Sequence, residues 1–433
     1  MKILIISSIQ PYKSANLGND MLLSLRDAGH EVDFLTKYNF SGADEQTISV
    51  FDKTEDSVKN RSNSFIIRFK IYLLKKMPFI FKRDHSRQIV PNPIEEKPDV
   101  NCDLISERIQ NEYDLVIITF WQYMITSVTV KAVYDKLKCP IFLIPVDMFP
   151  MTGGCYYFLD CKNYKNECFD CPVKDKFDFF ERPHKNYLLK QKIYNSIDCY
   201  FLMNKWMKSR YEESKIIKTS KIFEISFVIN EKTFFVMNKN VARERMSLPQ
   251  DKTILFAGAA NFNVYRKGFD HLIEAMRIVC NMVDNNNLLL VLAGNGKTDY
   301  SSSFECDVKD VGYLSIENLS TMYSAADLFI SSSFDDAGPT MVNQSLMCGT
   351  PVVAFDTGVA QELVINDETG YRAKLKDTND LALGIIQMIE KNEYEKKEIR
   401  DNCRNSAMEK YSLSVWAKKI EEIYNQVVDN TLV

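Results

Sequence analysis

Short apolar strands alternate with amphipathic helices along this chain, and the alternation occurs in two separate series. The first series opens with the strand MKILIISS, continues with an apolar-periodic helix that ends at Gly29, and returns as a strand at 32–35. Such a β-α-β unit places its strands side by side in a parallel sheet. Further strands of this series are predicted at 113–120, 139–146 and 199–204.

The second series predicts a second sheet of the same kind. Its strands are predicted at 253–260, 287–294, 327–333 and 351–355, with helices near 269–283 and 317–325. A chain of 433 residues, 45% of them hydrophobic, has enough apolar side chains for two cores. The predicted fold class is therefore α/β, with two Rossmann-like domains that face each other across a cleft. The predicted domains are 1–235 and 236–412, joined within the polar stretch 230–251, with 413–433 packing back on the first.

Charge and hydropathy exclude several classes of protein. A net charge of −4 gives no basic footprint for nucleic acid. No apolar run reaches the length of a membrane span, and no secretory leader precedes the first strand. We therefore expect a cytoplasmic protein, whose eleven cysteines are thiols or metal ligands rather than disulfides.

One segment departs from the alternation of strands and helices. Residues 61–87 hold eight Lys or Arg against one Asp, interleaved with aromatic and aliphatic side chains. A basic amphipathic segment of this kind can lie on an anionic membrane surface, here the inner face of the plasma membrane. An ordinary surface helix with a core face and a solvated basic face is the alternative, and the sequence favours neither.

The stretch FDDAGPTMVNQSLMCGTPVVAF follows a strand of the second series, so it lies at the cleft edge of that sheet. Asp335 or Asp336 is expected to cap a helix, and Pro339 suits the first helical turn. Gly338 lets the backbone approach a ligand closely, and the unpaired amides of the helix start attract an anion. Gln344 lies further along the helix, within reach of a sugar hydroxyl. The alternative is an ordinary capped helix between two core strands.

A second cationic element precedes a helix at the same sheet edge. In YRKGFDHL, Arg266 and Lys267 come just before Gly268 and a predicted helix, where the helix dipole disfavours cations. This placement indicates a bound anion, and two phosphates between these cations and the helix start near Gly338 would be well neutralised. A solvated basic pair is the alternative interpretation.

The pieces RKGFDHLIEAM, LAGNG, GYLSIENLSTMYSAADLFISSSFDDAGP and QSLMCGTPVVAFDTG together resemble the retaining glycosyltransferases of family 4. The resemblance implies the GT-B fold, a nucleotide-diphosphate-sugar donor bound mostly by the second half, and no cofactor for catalysis. It also implies a front-face reaction, in which the acceptor attacks on the side from which the diphosphate leaves.

The same resemblance implies roles for individual residues. Lys267 would hold the diphosphate. The family's arginine position is occupied here by Asn261, and the chemistry of the arginine side chain, rather than the resemblance, suggests Arg266 as the substitute. The family carries two glutamates in its motif, of which the first contacts the transferred sugar and the second contacts the ribose. Asp336 stands at the first of these positions and Gln344 at the second.

Four further residues are placed on the donor side by resemblance. Gly258 belongs to a donor-side loop, Gly294 and Tyr313 lie near the base, and Gly18 is what remains of a glycine-rich turn.

In the first half, DMFPMTGGCYYFLDCKNYKNECFDCP looks like the D-M-x-P-x-T-G-G-C-H-Y segment of bacterial surface-polysaccharide enzymes. It implies a glycan or lipid-linked acceptor, and Tyr156 stands where that segment commonly has His. Asp147 ends a strand at the cleft and could orient an acceptor hydroxyl, or serve as a turn residue. The expected acceptor residues are Asp147, Thr152, Gly153, Gly154 and Tyr156.

The same segment carries four cysteines, Cys155, Cys161, Cys168 and Cys171, spaced C-x5-C-x6-C-x2-C. Four thiols in seventeen residues, closed by a CxxC, suit a structural tetrahedral Zn²⁺ with no open catalytic position. Thiols packed as small hydrophobic side chains are the alternative, and an iron–sulfur cluster is a third.

The sequence leaves three functions open. The first is an active retaining transferase of the hexosyl type that builds cell-surface polysaccharide, such as capsule or lipopolysaccharide. The second is a degenerate GT-B subunit that binds a glycan or a partner enzyme, which Asn261, Tyr156 and Gln344 would fit. The third is a GT-B phosphorylase or epimerase, which would share the cleft without this motif set.

Overall fold

The computed structural model describes residues 1–10, 17–40, 43–54, 94–172, 181–296 and 303–431. Within these residues the chain forms two parallel β-sheets, one of seven strands and one of six. Neighbouring strands are joined in parallel register throughout both sheets, as helical crossovers between strands require. The predicted α/β fold with two facing Rossmann-like domains is confirmed.

The N-terminal sheet has the strand order β3-β2-β1-β4-β5-β6-β7. Its strands are β1 (Lys2–Ser7), β2 (Glu31–Asn39), β3 (Thr47–Thr54), β4 (Leu115–Thr119), β5 (Ile141–Ile144), β6 (Cys199–Met203) and β7 (Ile222–Glu224). The helices described around it are α1 (Leu17–Asp27), α2 (Cys102–Arg108), α3 (Ser127–Leu137), α4 (Arg182–Ser196) and α5 (Lys205–Ser214). The sequence analysis missed both edge strands of this sheet, β3 and β7, which pair with β2 and β6. It also missed the edge strands of the other sheet, at 307–310 and 370–373.

The C-terminal sheet has the strand order β10-β9-β8-β11-β12-β13. Its strands are β8 (Thr253–Asn261), β9 (Leu288–Asn295), β10 (Asp307–Asp310), β11 (Leu328–Ser331), β12 (Val352–Phe355) and β13 (Gly370–Ala373). The described helices of this half are α6 (Lys239–Arg245), α7 (Phe269–Met282), α8 (Ile316–Ala325), α9 (Thr340–Met347), α10 (Ala360–Leu363), α11 (Thr378–Glu390) and α12 (Glu393–Tyr411).

The apolar strands are buried on both faces, which explains why they read as continuous hydrophobic runs. In β1, Leu4 and Ile6 pack into one core, while Ile3 and Ile5 pack into another on the opposite face of the sheet. All four side chains are fully buried. Successive side chains of a strand point to opposite faces, so one short strand serves two layers of helices.

The last helix, α13 (Leu413–Thr431), returns to the N-terminal half. It packs against α1, and Trp416 and Ile420 join the core that contains Ile3 and Ile5. The chain therefore crosses between the halves twice, and the two crossings are bound together because the Ile229 N–H donates to Tyr411 O at 3.1 Å.

The membrane prediction is not tested by these coordinates, because residues 61–87 lie outside the described part of the chain. No helix among the described residues combines the length and the hydropathy that crossing a bilayer requires.

Candidate active site

Two loops at the carboxyl edge of the C-terminal sheet are hydrogen-bonded to each other. After β8 the chain makes a 3₁₀ turn at Tyr265–Lys267, and after β11 it runs through Ser332 and Phe334 towards α9. The Phe334 N–H donates to Arg266 O at 3.0 Å, and the Ser332 hydroxyl donates to Lys267 O at 2.9 Å. These bonds fix the basic turn beside the acidic loop, although some seventy residues separate them in sequence.

The carboxylate of Asp336 lies between the two cations of the turn. Its Oδ2 accepts from Arg266 Nη1 at 2.8 Å and from Lys267 Nζ at 2.5 Å. Asp336 is 4% exposed, so all three charges are largely withdrawn from water. Although burial opposes ionisation, the charges of Lys267 and Arg266 outweigh it and lower the pKa of Asp336 to about 2. The carboxylate is therefore ionised throughout the physiological pH range.

Arg266 is held from both halves of the protein. Its Nη1 also donates to Asp335 O at 3.1 Å, and its guanidinium carbon lies 3.6 Å from the ring centroid of Tyr157 in the N-terminal half. Arg266 is 9% exposed, and its buried Nε donates to no acceptor among the described residues. A buried donor without a partner is costly, so it indicates a site for an additional acceptor, such as a phosphate oxygen.

The two halves meet directly at this point. The Leu159 N–H donates to Asp335 Oδ2 at 3.0 Å, and Asn204 Nδ2 donates to Ala337 O at 2.6 Å. Burial raises the pKa of Asp335 to about 6, against the hydrogen bond from Leu159. Two adjacent carboxylates thus have different partners: Asp335 binds the opposite domain, whereas Asp336 binds the cations of its own domain.

The start of α9 differs from the sequence prediction in two respects. Pro339 is the N-cap residue rather than part of the first turn, and among the described side chains none caps the helix. Asp336 is engaged by the cations instead, and its Oδ1 accepts only a long bond, 3.4 Å, from the Gly338 N–H. A Cβ at Gly338 would lie 2.5 Å from the ring of Phe227, so the glycine is required by the contact between domains.

The predicted donor residues lie on several elements, and Gln344 has an unexpected hydrogen-bond partner. Gln344 is 2% exposed, and its Oε1 accepts from the Tyr323 hydroxyl at 3.2 Å inside the domain. Its amide NH₂ is thus the group of this side chain that could donate a hydrogen bond to a ribose hydroxyl. The other donor-side predictions lie in adjacent strands β8 and β9 (Gly258 and Gly294), on an exposed loop (Tyr313), and in the first turn of α1 (Gly18).

Asp147 follows β5, is buried, and lies close enough to Arg266 of the other half for that charge to act on its carboxyl group. Its Oδ1 accepts from the Phe149 N–H and its Oδ2 from Gln122 Nε2, both at 2.9 Å. Burial raises the pKa of Asp147 to about 7, opposed by the Phe149 hydrogen bond and by the charges of Lys190 and Arg266. A carboxyl with a pKa near neutrality can exchange a proton with a hydroxyl group at physiological pH.

The other acceptor predictions form a tight turn rather than an open surface. Thr152 is buried, and its hydroxyl donates to Cys155 O at 2.7 Å and accepts from the Cys155 N–H at 2.9 Å. A Cβ at Gly153 would come within 2.2 Å of Pro183 O, so packing against α4 requires this glycine. Gly154 is buried with a φ of 150°, and Tyr156 is partly exposed, its ring beside that of Phe149 at 5.7 Å between centroids.

A buried ion pair beneath this turn was missed by the sequence analysis. Lys190 and Glu95 are both fully buried, with 3.4 Å between Nζ and Oε2. The Lys190 ammonium donates to Phe149 O at 2.7 Å and to Thr152 O at 3.0 Å, so it fixes the turn from below. No sequence motif surrounds either residue, and their separation of 95 positions left no local signal.

The four cysteines are gathered around one cavity. Cys155, Cys161, Cys168 and Cys171 line it together with Thr152, Phe158, Asn163 and Tyr164. The cysteines of the described chain, these four included, form no disulfide. In the described residues no group of three or more His, Cys, Asp or Glu side chains is arranged to hold a metal ion, so the thiols surround the cavity without converging.

Two Rossmann-like domains whose facing sheet edges carry the predicted site define a GT-B fold. Residues 239–410, which comprise most of the C-terminal domain, match the family model described as "Glycosyl transferases group 1". An uncharacterized glycosyltransferase of Methanocaldococcus jannaschii is 23% identical over 233 residues, which cover 49% of this chain and 58% of that protein. The chain thus spans little more than half the length of this relative.

Solved structures show the same fold over the whole chain. The sucrose-phosphate synthase of Thermosynechococcus elongatus superimposes with a TM-score of 0.63 and 17% identity, over 99% of both chains. HepE of Anabaena, in complex with UDP and glucose, gives a TM-score of 0.62 and 15% identity over 98% of this chain and 100% of that one.

Proposed function

We propose that this protein is a retaining glycosyltransferase, which moves a sugar from a nucleotide-diphosphate-sugar to a glycan or lipid-linked acceptor in cell-surface polysaccharide synthesis. The observation that carries the proposal is the buried cationic pair Arg266 and Lys267 in the cleft, with an arginine Nε that lacks an acceptor among the described residues. The match of residues 239–410 to the group 1 glycosyltransferase family supports it.

The cations suit the leaving group of such a reaction. When the bond between sugar C1 and the β-phosphate oxygen breaks, that oxygen keeps the electron pair, and the diphosphate gains negative charge. Arg266 and Lys267 are proposed to stabilise this charge, and their ion pairs with the buried Asp336 support a site from which most water is excluded. The acceptor oxygen bonds to C1 on the same face, and its proton passes to the departing phosphate, so the sugar keeps its anomeric configuration.

Donor binding has to compete with Asp336. In the described arrangement its carboxylate already neutralises both cations, so an incoming diphosphate must share or displace it. We propose that Asp336 then turns to a hydroxyl group of the transferred sugar. From the opposite domain, Asp147 is proposed to orient the acceptor hydroxyl, since it lies close enough to Arg266 for that charge to act on it.

The test is a nucleotide-release assay with a panel of UDP-, GDP- and ADP-sugars, with and without membrane extracts as a source of acceptor. We expect one donor to be turned over, and Lys267→Ala to lose about 10²–10³ in kcat, the typical effect of removing one group that stabilises the transition state. Lys252→Ala is the matched control, because Lys252 pairs with the exposed Asp307 away from the cleft.

Two outcomes would contradict the proposal. Nucleotide binding without turnover of any donor would favour the degenerate binding subunit. Turnover with inversion, read from the anomeric proton coupling of the product, would contradict the retaining mechanism.

A further inference from the structure

We propose that Cys155, Cys161, Cys168 and Cys171 bind one structural Zn²⁺, and that this ion fixes the part of the N-terminal domain that contacts the cationic pair in the cleft. The proposal concerns a metal site remote from sugar transfer itself, so it does not depend on the proposed function.

The first argument is that the four thiols share one cavity. The four cysteines are spread over seventeen residues, yet all four line a single cavity. The other residues of its lining are Thr152, Phe158, Asn163 and Tyr164, so the described lining contains no carboxylate and no imidazole. A ligand for this cavity is therefore bound by sulfur, and four thiolates are the ligand set of a closed, structural zinc site.

The second argument is a backbone donor aimed at one of the sulfurs. The Gly153 N–H donates to Cys168 Sγ at 3.1 Å, and both residues are buried. Backbone N–H groups that donate to a ligand atom are among the outer-shell hydrogen bonds that orient the ligands of metal sites. Lys190 binds Thr152 O on the same turn and brings a buried positive charge close to the site.

The third argument is the backbone of this loop. Leu159, Glu167, Cys168 and Asp170 all have left-handed φ values, between 48° and 53°. This conformation is unfavourable for residues other than glycine. Regular structure within the described part of the loop is limited to 3₁₀ turns, and turn hydrogen bonds hold it, such as Cys168 N–H to Asn163 O at 2.8 Å and Asn163 Nδ2 to Asp170 O at 2.9 Å. A metal bound to four of its side chains would offset that cost.

Binding has to draw the sulfurs inward. As placed, no three ligating side chains of the described chain are arranged to hold an ion. A cysteine has one side-chain torsion, and a change of its χ1 rotamer moves the sulfur from the wall of the cavity towards its centre. Four neutral thiols would then release four protons and leave a Zn(S)₄ unit with two negative charges.

The loop connects this cavity to the cleft. Between Cys155 and Cys161 it carries Tyr157, whose ring lies on Arg266, and Leu159, whose N–H donates to Asp335. Two ligands therefore flank the short segment that contacts the opposite domain, and the metal would hold that segment in place.

The experiment is metal analysis of the full chain, purified under reducing conditions without added metal. We expect about one zinc per chain, as for a single tetrahedral site. Cys161→Ser should lower the zinc content severalfold, and Cys102→Ser, which alters a partly exposed thiol outside the cavity, should leave it unchanged. Protein reconstituted with cobalt should show the visible absorption of a tetrahedral Co²⁺–thiolate centre.

A second measurement needs no variant and so does not depend on the folding of one. Titration of the folded wild-type protein with a mercurial reagent, in the presence of a chromophoric chelator, should release zinc as the thiols react. Zinc near zero in the reduced wild type, equal zinc in Cys161→Ser, or iron with inorganic sulfide in its place would each overturn the proposal.

Discussion

Replacing Asp336 by Asn tests whether the cations of the cleft are a phosphate site. The substitution keeps the shape of the side chain and removes its charge, which leaves Arg266 and Lys267 without their shared counter-ion. The pKa of Asp336 is lowered from 3.8 to about 2, and this shift of about two units corresponds to roughly 2–3 kcal/mol of interaction. Removal of one partner from a buried ion pair typically costs about 3–5 kcal/mol. We expect Asp336→Asn to lower the free energy of unfolding by about 3 kcal/mol.

The response to nucleotide should be the opposite. In the wild type, the phosphates of UDP compete with the carboxylate for the two cations, whereas in the variant they replace a missing charge. A ligand at one hundred times its Kd stabilises a protein by about 2.7 kcal/mol, and tenfold tighter binding adds about 1.4 kcal/mol. The increment that UDP adds to stability should therefore be larger in Asp336→Asn than in the wild type, while transfer activity falls.

The assay is denaturant unfolding with and without UDP, or with whichever nucleoside diphosphate stabilises the wild type most. Asp327→Asn is the matched control, because Asp327 also bridges one lysine and one arginine, Lys239 at 2.6 Å and Arg243 at 2.7 Å. Asp327 lies just before β11 starts, whereas Asp336 lies beyond the end of that strand. It should destabilise the protein without changing the nucleotide increment. An increment in Asp336→Asn that equals or falls below the wild-type value would refute the phosphate site.

Two further predictions concern the N-terminal face of the cleft. Tyr157→Leu should raise the KM for the donor severalfold because Arg266 loses the ring beneath its guanidinium, while Tyr157→Phe should keep the wild-type KM; equal effects would show that the hydroxyl group matters instead. Asp147 has its pKa raised to about 7, so the folded state holds this proton between about pH 4 and pH 7 while the unfolded state has lost it. Stability should fall as pH rises through that range, and Asp147→Asn should remove part of the fall and gain up to about 4 kcal/mol at pH 8. The amide group introduced by Asp147→Asn can donate to Gln122 Oε1 once the Gln122 amide flips. That oxygen is buried and has no hydrogen-bond partner among the described residues. A variant with the wild-type pH profile in urea unfolding would contradict this account.

The strands and the helices near the site could be predicted because their signals are local. In β8 and β9 the apolar runs are bounded by polar residues, and the predicted limits, 253–260 and 287–294, lie within one residue of the observed ones. The placement of Arg266 and Lys267 at the sheet edge followed from the order of strand, basic pair and helix, which requires no knowledge of tertiary structure.

The partners of individual side chains could not be predicted in the same way. Whether Gln344 serves a ligand or the core depends on Tyr323, which lies on another helix and binds its oxygen. The ion pair of Lys190 with Glu95 joins positions 95 residues apart, and the contact of Tyr157 with Arg266 joins the two domains. Such contacts follow from the packing of whole elements, and local periodicity contains no information about them.

The adjacent carboxylates Asp335 and Asp336 explain how closure of the cleft could act on donor binding. Their pKa values are separated, at about 6 and about 2, because burial raises the pKa of Asp335 despite the Leu159 hydrogen bond, whereas two cations lower the pKa of Asp336 against its burial. Separation of the domains would remove Leu159 from Asp335 and the Tyr157 ring from Arg266, and would admit water to both. Since charges attract more strongly where water is excluded, the proposed diphosphate site would bind more tightly with the domains in contact than with them apart. Under the proposed function, contacts made by the loop between Cys155 and Cys161 would therefore influence the affinity for the donor, although the two cations, Arg266 and Lys267, belong to the other domain.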